Sequence, residues 1–137
     1  MYKKTKYLSE DAKKIREEVF VREQGFENEF DEIDDYATHL VFYEEEAPFA
    51  VCRYYESENP KEYWVGRLAI IKEYRGRQFG RHMLEVLEKN IKEEGGTKIS
   101  LSAQVRVQEF YGKMGYLPQG EPYLDEYCQH VHMEKNL

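Results

Sequence analysis

A short segment rich in glycine and arginine carries the first chemical signal in this chain. It reads Arg75-Gly76-Arg77-Gln78-Phe79-Gly80. Glycine permits backbone conformations that point several N–H groups in one direction, and a helix start adds unpaired donors and partial positive charge. Positions 72–81 hold four basic residues and one acid, although the net charge of the chain is −7. This pattern predicts a loop that binds a phosphate group.

Two common nucleotide-binding loops do not fit this segment. No Gly-Lys-Ser/Thr follows it, which excludes a P-loop, and no Gly-x-Gly-x-x-Gly is present, which excludes a Rossmann fingerprint. An ordinary glycine-containing turn with solvated basic residues would show similar letters. The loop alone therefore leaves both interpretations open.

A second pattern follows about thirty residues later. Gln104 ends a β-prone segment, and the next helical segment contains Phe110-Tyr111-Gly112-Lys113-Met114-Gly115-Tyr116. A phenol has an ordinary pKa near 10, so a tyrosine can donate a proton at neutral pH. A tyrosine that only packs its ring on the sheet is the alternative, since the chain has 12 tyrosines.

Together the two segments resemble the signature of the GNAT superfamily of acyl-CoA N-acyltransferases. The family loop is written Arg/Gln-x-x-Gly-x-Gly/Ala; here Arg75 is first, Gly80 is last and Gln78 replaces the middle glycine. The second element resembles Asn…Phe-Tyr-x-x-x-Gly-Phe/Tyr, with Gln104 in the place of Asn. The chain looks closest to the ElaA-like group, through the segment 21–24, the loop 75–80, the pair 103–104 and His130.

The resemblance implies an N-acetyltransferase that uses acetyl-CoA as cosubstrate and transfers its acetyl group directly to a primary amine. It implies that Tyr111 is the general acid that protonates the leaving thiolate. Backbone N–H groups of the strand before the loop would activate the thioester carbonyl and pair with the pantetheine arm. The implied cofactor-binding residues are Leu68, Ala69, Ile70, Arg75, Gly76, Arg77, Gln78, Phe79, Gly80 and Gln104.

The amine must lose a proton before it attacks, and several side chains are candidates for the base. Glu23 follows the first predicted helix, in the segment that usually borders the acceptor. His130 and His39 are alternatives, because histidine as a residue type exchanges protons near neutral pH. A structural or surface role is the alternative for each of them. Arg67 lies on the key strand, where it either binds a substrate carboxylate or pairs with a neighbouring acid.

The segment 27–46 contains nine acids and no lysine or arginine. A solvated acidic face is the simpler interpretation. Alternatively, part of the segment attracts a cationic acceptor such as a polyamine, an amino sugar or a lysine side chain.

Hydrophobic periodicity predicts an α/β domain with a mixed central sheet of about six to seven strands flanked by helices, the GNAT-type fold that the resemblance implies. A first helix is expected at about 9–21, capped by Ser9, and a helical turn at 30–34. The buried face of a later helix is expected to carry Met83, Leu84, Leu87 and Ile91. The predicted strands are 40–43, 49–55, 63–71, 98–103, 117–118 and 131–133, and the predicted later helices are 80–94 and 105–114.

Length and composition narrow the class of protein. The chain has 137 residues, 41% of them hydrophobic, which suits one folded domain over 1–137. Its acidity argues against nucleic acid or an anionic membrane as partner, and two cysteines without a CxxC pair fit the cytoplasm. We expect no metal and regard a homodimer as possible. A non-catalytic acyl-CoA sensor or interaction module of the same fold is the alternative function.

Overall fold

The computed structural model describes residues 1–137 and contains seven strands and three α-helices. The strands and helices predicted at stated positions occur in the expected sequence, with one more strand before the first helix, and the sheet order is β1-β2-β3-β4-β5-β7-β6. β4 pairs with β5 in parallel, whereas the pairs β1–β2, β2–β3, β5–β7 and β6–β7 are antiparallel. The mixed α/β fold is therefore confirmed. Strands are β1 Tyr2–Thr5, β2 Thr38–Glu44, β3 Ala47–Glu56, β4 Glu62–Ile70, β5 Lys98–Gln104, β6 Leu117–Asp125 and β7 Cys128–Asn136; helices are α1 Glu10–Arg16, α2 Phe79–Glu93 and α3 Gln108–Lys113.

The chain forms two compact units. Unit 1 contains residues 1–55 and 67–87, and unit 2 contains residues 56–66 and 88–137. In unit 1, Ala12, Ile15 and Val19 pack against Val41 and Val51. Their spacing places them on one face of the first helical segment, and this explains why it packs on the sheet.

The first helical segment is longer than predicted. The Ser9 hydroxyl accepts a hydrogen bond from the N–H of Ala12 at 3.2 Å, which confirms the predicted N-cap. The segment then continues beyond α1 as a π-helix, Glu17–Glu23. Wider turns of this kind often occur near functional positions. A 3-10 turn, Glu32–Asp35, begins two residues later than the predicted helical turn.

The apolar face of α2 is confirmed, since Met83, Leu84, Leu87 and Ile91 are all buried. The helix stops because the Gly95 backbone is left-handed, with φ +93°, and the N–H of Gly96 donates to the Ile91 carbonyl at 2.9 Å. None of the helices is long and apolar enough to cross a membrane.

The last two strands are much longer than predicted. β6 and β7 pair antiparallel from Leu117↔Glu134 to Asp125↔Cys128, with an irregularity between Gln119 and Tyr123. β6 extends beyond the predicted strand 117–118 and contains Pro118 and Pro122, which cannot donate to a ladder. Because β6 is the outermost strand of the sheet, proline is tolerated in it. Every residue of β6 is exposed.

Candidate active site

The glycine–arginine segment forms the connection from β4 to α2 in unit 1. After β4, the N–H of Ile71 donates to the Phe49 carbonyl at 3.0 Å, and a 3-10 turn follows. Gly76 has φ +79° and Gln78 has φ +63°, so both are left-handed. α2 begins at the next residue, Phe79. The loop therefore delivers the unpaired N–H groups of a helix start directly after two left-handed residues.

Gln78 takes the backbone region that favours glycine. A non-glycine residue with positive φ is uncommon and costs conformational energy. Gln78 stands where the family loop has its middle glycine, so the substitution of Gln for Gly leaves the loop with a left-handed turn at this position. Sequence reasoning had no means to decide this conformation.

An aromatic cluster packs at both ends of the loop. The rings of Phe49 and Tyr74 stack at 4.7 Å, and Phe79 lies 4.6 Å from Phe49. The Arg77 guanidinium lies 5.4 Å from the Tyr74 ring centroid, in a cation–π contact. Arg77 itself is exposed. Its charge is therefore held beside the loop while remaining accessible to an anion.

Arg75, in contrast, is engaged with protein groups. Its Nη1 and Nη2 atoms donate to the two carboxylate oxygens of Glu23 at 2.6 and 2.8 Å, and its Nε donates to the Ile70 carbonyl at 2.8 Å. The hydrogen bonds and charge of Glu23 raise the pKa of Arg75. The pair joins the end of the π-helix to the end of β4. The structure thus brings together two residues that the sequence analysis had assigned to different tasks, the base and the phosphate cradle.

The three candidate residues at the end of β4 differ in burial. Ala69 is buried, whereas Leu68 and Ile70 are half-buried. The ladder with β5 runs from Glu62↔Lys98 to Val65↔Leu101. It ends two residues before Arg67, whose backbone is left-handed with φ +54°. The extended geometry of β4 is therefore interrupted just before Leu68.

The Arg67 side chain binds the acidic segment. Its Nε and Nη2 atoms donate to the Glu29 carbonyl at 3.1 and 3.0 Å. The guanidinium also lies 3.1 Å from a Glu29 carboxylate oxygen and 3.4 Å from one of Asp31. Of the two alternatives for Arg67, the structure shows pairing with neighbouring acids. Its role as a substrate ligand stays a prediction.

Three acids and three arginines form a network of ion pairs, in which Arg16, Glu29, Asp34 and Arg53 are buried. Arg16 is fully buried and donates to Glu29 at 2.8 Å and to Asp34 at 2.7 and 3.1 Å. Arg53 donates to Asp34 at 2.8 Å and to Asp31 at 2.7 and 3.1 Å. The interpretation as a solvated face is wrong for Glu29 and Asp34, which are buried. The other acids of the segment are exposed: Glu27, Asp31, Glu32, Asp35 and 44–46.

The network shifts the pKa values of its acids in opposite directions. Burial alone raises the pKa of Asp34, but hydrogen bonds and charges from Arg16 and Arg53 outweigh it and lower that pKa to about 2. For Glu29 burial dominates, and its pKa stays raised despite the nearby arginines. Asp34 is therefore a firmly ionised anchor, whereas the charge on Glu29 is incompletely compensated.

His39, an alternative for the base, lies next to this network and does not face solvent. It is fully buried, and its Nε2 atom lies 3.0 Å from the Asp34 carbonyl. A carbonyl only accepts, so Nε2 carries the proton and donates it. Burial lowers the pKa of His39 and favours the neutral ring. The position of this ring supports a structural role.

Tyr111 lies on α3 in unit 2 and is nearly buried. Its ring makes edge contacts with Phe110 at 5.2 Å and Tyr116 at 5.9 Å. The helix ends as predicted, because Gly115 is left-handed and the N–H of Tyr116 donates to the Tyr111 carbonyl at 3.0 Å. A 3-10 turn, Val105–Val107, precedes α3, so the helix is shorter than the predicted 105–114. These contacts limit the positions that the Tyr111 ring can occupy.

Gln104 and His130 are direct partners across the β5–β7 ladder. The Gln104 side-chain oxygen accepts from Arg106 Nε at 2.9 Å. His130 is nearly buried, stacks on Tyr123 with ring centroids 6.2 Å apart, and has Nδ1 3.0 Å from the Cys128 carbonyl. That contact makes Nδ1 the proton donor and Nε2 the acceptor nitrogen of the neutral ring. In this tautomer Nε2 is the ring nitrogen that can accept a proton.

The cysteines and the possible metal ligands of the chain are further candidates for reactive groups. Both cysteines are free, Cys52 is buried, and burial raises the pKa of its thiol. No cluster of three or more His, Cys, Asp or Glu side chains is arranged to hold a metal ion.

Comparison with known proteins agrees with this architecture. The family described as "Acetyltransferase (GNAT) domain" matches residues 4–137, and the chain therefore belongs to the GNAT acetyltransferase family, whose members are acyl-CoA N-acyltransferases. The uncharacterized N-acetyltransferase YjcF of Bacillus subtilis is 33% identical over 129 residues, which cover 92% of this chain and 91% of YjcF.

Solved structures show the same fold over the whole chain. An N-acetyltransferase assigned in Lactobacillus plantarum has a TM-score of 0.88 and 29% identity, covering 99% of this chain and 98% of its own. Escherichia coli ElaA has a TM-score of 0.82 and 24% identity, covering 98% of both chains. The resemblance to the superfamily, with ElaA among its structural neighbours, is thereby confirmed.

Proposed function

We propose that this protein is an acetyl-CoA-dependent N-acetyltransferase that acts on a primary amine by direct attack. The observation that carries the proposal is the pair of left-handed residues, Gly76 and Gln78, directly before the start of α2 in a chain of this family. Such a turn points backbone N–H groups at one place, and a helix start favours negative charge there. The pyrophosphate of acetyl-CoA matches both features.

The backbone of Leu68, Ala69 and Ile70 is proposed to bind the pantetheine arm and to activate the thioester. The half-buried side chains of Leu68 and Ile70 support this, since they leave apolar surface for a ligand. Negative charge grows on the carbonyl oxygen in the transition state, so a fixed N–H donor near that oxygen lowers the barrier. Gln104 is proposed to contact the cofactor through its side-chain amide.

The proton transfers follow from the reaction itself. The amine nitrogen bonds to the acetyl carbon, the carbon–sulfur bond breaks, and CoA leaves as a thiolate. Tyr111 is proposed to donate the proton that the thiolate takes, and His130 Nε2 is proposed to accept the proton that the amine loses. The contact of His130 Nδ1 with the Cys128 carbonyl supports His130 as the base. Glu23 is less suited, because both of its carboxylate oxygens accept hydrogen bonds from Arg75.

The phosphate role of the loop predicts a result for Arg77. Replacing Arg77 by Ala removes an exposed guanidinium beside the loop, and a lost charge-assisted contact of about 1.5–3 kcal/mol weakens acetyl-CoA binding roughly tenfold or more. Calorimetric titration measures this, with exposed Lys14→Ala in α1 as the charge-matched control. Equal affinity of Arg77→Ala and wild type would remove Arg77 from the cradle.

The conformation of Gln78 predicts opposite effects of two substitutions. Gln78→Gly relieves the left-handed strain of about 1–2 kcal/mol, so it keeps acetyl-CoA affinity and raises the melting temperature slightly. Gln78→Val, whose branched side chain disfavours positive φ, weakens acetyl-CoA binding about tenfold or more, because the loop must distort. If the two variants bind acetyl-CoA equally well, the left-handed turn is unimportant for the cofactor.

Turnover separates the enzyme from its alternative, a non-catalytic acyl-CoA sensor of the same fold. The purified protein is mixed with acetyl-CoA and a panel containing a polyamine, an amino sugar and a lysine peptide, and released CoA thiol is followed. An enzyme releases CoA faster with at least one amine than without any. A protein that binds acetyl-CoA and shows no such acceleration with any acceptor would be the sensor.

Other properties belong to the same proposal. The family match over residues 4–137 supports one catalytic domain spanning 1–137. We further propose a cytoplasmic location, an amine and acetyl-CoA as partners with neither nucleic acid nor membrane among them, and a homodimer as a possible assembly. Size-exclusion chromatography with light scattering tests the last of these.

A further inference from the structure

Arg67 combines an unfavourable backbone conformation with an unusually well-anchored side chain. Its φ of +54° lies in the left-handed region, inside β4 and directly before the three residues proposed to hold the acyl-CoA arm. A non-glycine residue keeps such a conformation only where its surroundings hold it there. The question is what holds Arg67.

The side chain of Arg67 binds one place on the acidic segment through a single edge of its guanidinium, formed by Nε and Nη2. Nε and Nη2 share the Glu29 carbonyl, at 3.1 and 3.0 Å. The same Nε lies 3.1 Å from the Glu29 carboxylate, and Nη2 lies 3.4 Å from Asp31. A planar guanidinium can make these contacts together, whereas a lysine ammonium lacks the matching fork.

The groups that hold Arg67 are themselves fixed. Glu29 is 5% exposed and is bound by the buried Arg16, whose Nη2 also donates to the Glu29 carbonyl at 3.1 Å. Asp31 is bound by Arg53 through two hydrogen bonds. Glu29, Asp31 and Asp34 supply three carboxyl groups, and Arg16, Arg53 and Arg67 supply three guanidinium groups. Acids and arginines are therefore equal in number, and Arg67 completes the set.

We propose that Arg67 is a positioning residue: its guanidinium, held by Glu29 and Asp31, fixes the left-handed backbone that sets the direction of the N–H groups of Leu68, Ala69 and Ile70. This inference rests on the proposed function, in which the backbone of residues 68–70 binds and activates acetyl-CoA. It assigns the acidic segment a role in the architecture of the acyl site. It also replaces the substrate-carboxylate role predicted for Arg67.

Two substitutions at Arg67 separate positioning from substrate binding. Arg67→Ala loses the anchor and retains a Cβ that disfavours positive φ, so kcat/KM for acetyl-CoA falls about 10–100-fold through misplacement of the strand. Arg67→Gly also loses the anchor, but glycine takes positive φ freely, so it recovers most of that loss. KM for the best amine of the panel stays within about twofold in both variants.

Glu45 provides the matched control. It is a left-handed residue with φ +58° in the exposed turn between β2 and β3. Glu45→Ala and Glu45→Gly are expected to differ in melting temperature in the same sense as the Arg67 variants and to keep wild-type turnover. The control separates relief of strain in general from relief of strain at the acyl site.

Each outcome decides the proposal. If Arg67→Gly loses as much kcat/KM as Arg67→Ala, or if both raise KM for the amine more than tenfold, Arg67 is not a positioning residue. Should Arg67→Ala fail to fold, Arg67→Lys replaces it, because lysine also retains the Cβ and cannot restore both contacts to Glu29. The kcat/KM of Arg67→Gly for acetyl-CoA must then exceed that of Arg67→Lys. Wild-type protein that neither binds acetyl-CoA nor releases CoA overturns the proposed function itself, a result distinct from equal losses in two folded variants of an active enzyme.

Discussion

Tyr111→Phe is expected to lower kcat about 10²–10³-fold while leaving the affinity for acetyl-CoA unchanged. The substitution removes one hydroxyl and keeps the ring, so the edge contacts with Phe110 and Tyr116 persist. Without the phenol, the thiolate leaves unprotonated or takes its proton from water, which raises the barrier. The measurement is CoA release with the best amine of the panel, together with calorimetric titration.

Tyr7→Phe is the control for this experiment. Tyr7 is 65% exposed, and its side chain is chemically the same as that of Tyr111. It should retain wild-type kcat. A Tyr111→Phe variant that keeps more than half of the wild-type kcat would show that the proton comes from another group, and a variant that loses acetyl-CoA affinity would point to a binding role.

Asp34→Asn is expected to cause the largest loss of stability in the chain. Asp34 is 4% exposed and joins Arg16 and Arg53, so its neutralisation leaves two guanidinium groups undercompensated in a buried place. Breaking such a pair from one side costs about 3–5 kcal/mol. Urea unfolding at pH 7 measures the free energy of unfolding of wild type and variant.

The effect of Asp34 depends on pH in a defined direction. Its pKa is lowered from 3.8 to about 2, so its contribution to stability is complete above pH 4 and is lost as the pH falls toward 2. The difference in unfolding free energy between wild type and Asp34→Asn should therefore shrink over that interval. A difference that stays constant between pH 5 and pH 2.5 would contradict this assignment.

Glu29→Gln is the matched control within the same network. The pKa of Glu29 is raised, chiefly by burial, so its charged form is disfavoured in the folded protein and its contribution to stability falls as the pH rises above 4.5. Removing that charge at pH 7 should cost much less than removing the charge of Asp34. If both variants lose the same stability, burial is not the dominant influence on Glu29.

The sequence predicted most of the fold because its local signals agree with one another. Ser9 as a cap, the apolar spacing of Met83, Leu84, Leu87 and Ile91, and a left-handed glycine after a helix are properties of a few neighbouring residues. Such local features are readable from the sequence, because they depend on neighbouring residues and the tertiary structure only adds packing to them. The extent of β6 was missed, since tolerance of Pro118 and Pro122 depends on being the outermost strand.

The sequence could not predict the pairing of charges. Arg16 follows Ala12 by four residues and so lies on the apolar face of α1, which was a readable sign that it is buried. Nothing local indicated that Arg16, Arg53 and Arg67 would meet the same acidic segment, because their partners lie 13 to 38 residues away along the chain.

By itself, then, the sequence determined the family, the α/β class and the positions of the loop and of Tyr111, all of which rest on short-range spacing. Only the tertiary structure decided that Gln78 is left-handed, that Glu23 binds Arg75 and that Glu29 and Asp34 of the acidic segment are buried against arginines. The physical reason is that backbone conformation and the ionisation of buried groups depend on neighbours that folding brings from distant parts of the chain.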